Sequence, residues 1–105
     1  MATTPITFFR GAATTTTTTV LGTVPASTTW IVTNIAVANT ASTAATFTLG
    51  MGTAGANTSI GTTVAIQGNA STFIDLKQPL AATNTITGGA SATTVSFHVS
   101  GIAIA

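Results

Sequence analysis

Apolar and polar residues alternate along this chain in short runs punctuated by glycine, proline and asparagine. Threonine, valine, isoleucine and phenylalanine fill those runs, and branching at Cβ or an aromatic ring suits them to a pleated surface, so the pattern predicts an all-β chain. The clearest run is "TTWIVTNIAVANT", residues 28–40, where Ile31, Ile35 and Val37 share one parity and Trp30, Val32, Ala36 and Ala38 the other. Apolar residues on both faces predict a central strand covered on both sides or lying at a subunit contact. "VPAST" just before it predicts a turn through Pro25. In "AATFTLGM", Ala45, Phe47, Leu49 and Met51 oppose Thr46 and Thr48, the pattern of a half-buried strand paired with its predecessor as a hairpin.

Beyond it, "GTAGAN" at 52–57 reads as a flexible loop, and Ile60, Thr62, Val64 and Ile66 share a parity as a further strand. "QGNAS" predicts a turn into "TFIDLKQPL", a strand that Pro79 should end because proline cannot donate to a ladder. A short strand at Thr85–Thr87 precedes a turn at "GGAS". The last segment sets Val95, Phe97 and Val99 on one face and Ile102 and Ile104 on the other parity. That switch predicts a bulge near Ser100 and Gly101, or a tail packed on a neighbouring subunit. With "ITFF" and "TVLGTV" near the N-terminus, about eight short strands emerge, and the expected architecture is a β-sandwich of jelly-roll type, with an immunoglobulin-like arrangement left open. The whole of 1–105 reads as a single domain, with 1–19 a partly irregular N-terminal arm and a threonine-rich loop.

Composition sharpens this picture. Only 3% of residues are charged, against a usual share of about 25%. The ionisable side chains are Arg10, Asp75, Lys77 and His98. A net charge of +1 gives an isolated globule little protection against self-association, so the surface is expected to be covered by copies of itself or by a larger assembly. Two basic residues cannot track a phosphate backbone, so nucleic acid is not an expected partner. No apolar run approaches the roughly 20 residues of a membrane-spanning helix, and a membrane is not expected either. Cysteine is absent, which removes disulfides and thiolate metal sites. "MATTPITFFRGAA" lacks a basic leader followed by a long apolar stretch, so synthesis without a secretory signal is the expectation, with any exterior location reached by assembly or lysis.

Candidate chemistry is sparse. His98 is a general base or metal ligand in one reading and a surface or interface histidine in the other, and the chain lacks the convergent ligands a metal needs. Asp75 and Lys77 share a parity and suit an exposed ion pair. A single carboxylate side chain excludes paired-carboxylate glycosidase chemistry, and a triad of Asp75, His98 and a serine is formally available but lacks a G-x-S-x-G elbow. Arg10 is either a solvated terminus or a bidentate contact to a partner's carboxylate. Trp30 is expected to fill a core or interface ahead of serving as a sugar platform. "NTS" at Asn57 and "NAS" at Asn69 match the glycosylation pattern, and the glycines fit no nucleotide fingerprint. No catalytic, cofactor-binding or metal-binding residue is therefore expected.

The stretch "TVPASTTWIVTNIAVANTASTAATFTLGM", with "STFIDLKQPLAATNTI" and "TTVSFHVSGI", resembles small structural proteins of tailed-bacteriophage virions, although "TVPAST" lacks the glycine many of them carry after Pro-Ala. The resemblance runs from about Val20 to the C-terminus, rests on strand and turn patterns, and transfers no functional residue. It implies a non-enzymatic virion protein assembled in the host cytoplasm: a capsid decoration (cement) protein that forms a homotrimer and binds the major capsid protein, or a component of the tail or baseplate. Two further expectations stand beside it. One is a host-glycan-binding module using Trp30 and polar loops. The other is ice binding by the pairs Thr46/Thr48 and Thr85/Thr87, which lack the regular repetition a flat array needs.

Overall fold

Alternation of β-branched and aromatic side chains with threonine and alanine gives each strand one face to bury, and the chain buries those faces between two sheets. The computed structural model describes residues 3–53 and 56–105. It contains β1 (Thr3–Ala12), β2 (Val20–Thr23), β3 (Thr29–Asn39), β4 (Ala45–Thr53), β5 (Ala56–Ile66), β6 (Ser71–Leu80), β7 (Thr85–Ala90) and β8 (Val95–Ile104). The strands form two four-stranded antiparallel sheets, sheet A in the order β1-β8-β3-β6 and sheet B in the order β2-β7-β4-β5. This is the expected all-β sandwich in a single domain. Val32, Ile35, Val37, Phe97 and Val99 of sheet A meet Phe47, Leu49 and Ile86 of sheet B in one core, and Phe47 meets Phe97 edge to face with ring centroids 6.1 Å apart. Of the expected N-terminal arm, Thr3–Ala12 forms β1, and the threonine run links it to β2.

The two-faced pattern of β3 has a local cause. Its pairing slips between Val32 and Asn34, so Trp30 and Val32 point inward before the slip and Ile35 and Val37 after it. One extra residue changes the parity of everything beyond it, and an inserted Thr33 converts an apparently two-faced strand into one that buries a single face. β3 is central, as expected, but its outer face is not covered by another layer. The bulge expected in β8 lies in its neighbours instead: β1 slips between Thr7 and Phe9, and β3 slips opposite Ser100 and Gly101. β8 alternates without interruption, which leaves Ile102 and Ile104 on the outer face.

Several other expectations are corrected. β3 and β4 do not form a hairpin; β4 pairs with β5 and β7 in the opposite sheet, so the two apolar faces meet across the core. Pro79 lies inside β6, on a sheet edge where one side of the strand has no ladder to supply. β7 runs on through Gly88 and Gly89 to Ala90, beyond the expected end at Thr87. The loop expected at 52–57 narrows, since Gly52 and Thr53 belong to β4 and Ala56 and Asn57 to β5; its residues 54 and 55 lie outside the described residues.

The threonine run explains why β7 extends. Thr14–Thr19 lies alongside it, with the Gly88 and Ala90 amides donating to the Thr19 and Thr14 carbonyls at 3.0 and 2.9 Å. A side chain at Gly89 would collide with the Thr16 carbonyl, so glycine is what lets the loop approach. Within the loop, Thr14 Oγ1 and Thr19 Oγ1 are 2.6 Å apart, and Thr19 Oγ1 donates to the Thr16 carbonyl at 2.8 Å. Threonine hydroxyls thus satisfy a turn that has no apolar anchor of its own.

Candidate interaction surface

Antiparallel register and alternation place specific side chains on the outer face of sheet A. One row across the four strands reads Arg10, His98, Ala36, Phe73 from the β1 edge to the β6 edge. The next row reads Thr7, Ser100, Asn34, Asp75. The row beyond reads Pro5, Ile102, Ile31, Pro79, and Lys77 lies on β6 between the last two. All four ionisable side chains in the sequence therefore stand on this one face. Phe73 is 70% exposed there, the most open of the large apolar side chains among the described residues. The bulges in β1 and β3 leave a shallow hollow of about 350 Å³ lined by Pro5, Ile6, Thr7, Thr33, Ser100 and Gly101.

The candidate chemical residues share the face at different rows and strands. The Asn34 side chain donates from Nδ2 to Asp75 Oδ1 at 3.3 Å. His98 is two strands and one row from Asp75, a backbone separation of about 12 Å from strand spacing and rise, so the carboxylate and imidazole of a triad are not brought together. No group of three or more His, Cys, Asp or Glu among the described residues gathers to hold a metal. Trp30 is 7% exposed and stacks on Phe8 with centroids 4.3 Å apart, so its ring closes one end of the core and presents no platform.

The glycosylation-like asparagines differ from each other. Asn57 reaches over β4 at Gly52 to β7, donating from Nδ2 to the Thr85 carbonyl and to Thr87 Oγ1 while accepting from Thr85 Oγ1 at 2.9 Å. Asn69 is exposed in a turn at φ 57°. The threonine pairs give no flat array, since Thr85 is buried and Thr87 Oγ1 is taken by Asn57.

Asn39, the last residue of β3, is 2% exposed and organises one end of the sandwich. Its Nδ2 donates to the Thr43 carbonyl at 2.8 Å, and its Oδ1 accepts from the Ala41 amide at 3.1 Å and from Thr94 Oγ1 at 3.2 Å. No buried side-chain nitrogen or oxygen among the described residues lacks a partner. The signal in the sequence was the position of Asn39 itself, on the inward parity shared by Ile35 and Val37.

Comparison with protein-family models, with curated proteins and with solved structures returns no match.

Proposed function

We propose that this chain is a non-enzymatic structural protein of a bacteriophage virion, a capsid decoration (cement) protein that self-associates and stabilises the capsid lattice by binding the major capsid protein. The observation that carries the reading is the confinement of every ionisable side chain to the outer face of sheet A, which leaves the remaining surface uncharged. Uncharged small residues can be buried against many neighbours without stranding a desolvated charge. The pairing pattern supports a jelly-roll reading: β1 with β8, β2 with β7, β3 with β6 and β4 with β5 nest as one long ribbon folded over. That architecture recurs in viral capsid domains. The resemblance of residues from Val20 onward to tailed-phage virion proteins supports the same reading.

The test is co-sedimentation of the purified protein with shells of the major capsid protein lacking it. Saturable binding that raises the shell's melting temperature is the expected result. A protein that stays in the supernatant at saturating concentration would overturn the decoration role.

A further inference from the structure

We propose that the outer face of sheet A is a homotypic interface, packed against the same face of a second copy about a two-fold axis that runs along the strands between β8 and β3. This rests on the reading above that the chain acts by self-association, and it names the surface responsible. Such an axis lays β1 of one copy over β6 of the other and β8 over β3, so each row meets itself reversed.

The rows are self-complementary under that operation. Arg10 falls over Phe73 of the second copy, the one guanidinium against the most exposed aromatic ring. Asp75 of the second copy stands one row further, about 7 Å along the strand, within reach of an arginine side chain. Ile102 falls over Ile31, and Pro5 over Pro79, while alanine and serine at Ala36 and Ser100 let the sheets close. An axis across the middle row would instead set Asp75 against its own copy. Arg10 stands on the β1 edge strand and Asp75, with Lys77 two residues along, on the β6 edge strand, so a partner turned round brings each arginine towards the other copy's carboxylate, twice in the pair. Lys77 lies on the far side of Asp75 from the Arg10 row and stays at the rim.

Size and composition agree. Four strands of about ten residues cover on the order of 600 Å² at sheet spacing and rise, hence roughly 1,200 Å² in a pair, at the lower bound for a specific interface. Arginine and aromatic side chains are residue types enriched at interfaces, and here they lie towards the two edges of the face with small residues between them.

Charge reversal tests this on the isolated protein. Wild type, Arg10→Asp, Asp75→Arg and the double variant are compared by sedimentation equilibrium, with thermal melts confirming that each folds. The expected result is a wild-type pair, weakening by at least about tenfold in either single variant, and recovery in the double. A second measurement separates face-on from edge-on contact: Ile31→Cys and Ile102→Cys proteins, mixed and treated with a bifunctional maleimide spanning about 10 Å, should yield a cross-linked pair, because both positions lie on the central strands and facing sheets stand about that far apart. A wild-type monomer, an oligomer insensitive to both reversals, a double variant that does not recover, or no cross-link overturns the interface. A monomer that still binds capsid shells overturns the interface and leaves the virion reading standing. A swap-sensitive pair that binds no shell does the reverse.

Discussion

Asn39 shows how a single polar side chain can hold several loops. Its amide reaches the backbone of the β3–β4 link and the threonine of the β7–β8 turn, and the fold leaves it nearly sealed from water. Replacing it with alanine strands the Thr43 carbonyl and the Ala41 amide, at a cost of about 2 kcal/mol or more, or roughly 10 °C in melting temperature for a domain of this size. Thermal unfolding followed by circular dichroism checks this; a shift within about 2 °C would mean that water replaces the side chain freely. Trp30 makes the opposite case, a residue whose position by a turn left core and glycan roles open. Stacked on Phe8 and sealed from solvent, it should fluoresce well to the blue of the unfolded chain and be unchanged by added glycans. Trp30→Ala should destabilise by about 3–5 kcal/mol, and a folded, equally stable variant would contradict the packing described.

At the scale of elements, the bulges decide which residues face the core. Deleting Thr33 would remove the slip against β8 and put Trp30, Val32, Ile35 and Val37 on one parity of a strictly alternating strand. The expected outcome is that a cooperative melting transition is kept, with the same four residues buried; loss of that transition would show that the bulge does more than set parity. Gly89→Val tests the other unusual contact, since a side chain there displaces the threonine loop from β7. Hydrogen exchange at the Gly88 and Ala90 amides should accelerate on the order of tenfold or more, and unchanged protection would contradict the loop's docking. These features also mark where sequence pattern stops being informative. Alternation in "AATFTLGM" and "VSFHV" identified the buried residues of β4 and β8, because period two belongs to a single strand. Sheet membership of β4 was not legible: pairing depends on contacts distant in sequence, such as those Asn39 makes to the β5–β6 and β7–β8 turns. The bulge was visible as a change of parity in β8, yet the structure resolves it in β1 and β3, since a slip between two strands can be taken up by either. None of the ionisable residues had a site legible in the sequence, and what unites them, a common face, depends on a register across four strands.

The whole molecule joins an uncharged sandwich to one charged face. Apolar burial and backbone pairing carry its stability, and the few charges are exposed, so the melting temperature should move by less than about 2 °C between about 0.02 and 0.2 M sodium chloride. A larger change would point to structural ion pairs. Self-association through sheet A should be the more salt-sensitive property, because Arg10 and Asp75 meet only between copies. Such a division suits a protein that acts by being packed beside many neighbours, and abundance in the particle follows directly from that role. The most direct measurement is the copy number of this chain relative to the major capsid protein, by quantitative mass spectrometry of purified particles that carry it. Copies on the same order as the major capsid protein are the predicted result. A few copies per particle would move the chain to the tail or baseplate, and its absence from particles would contradict the account.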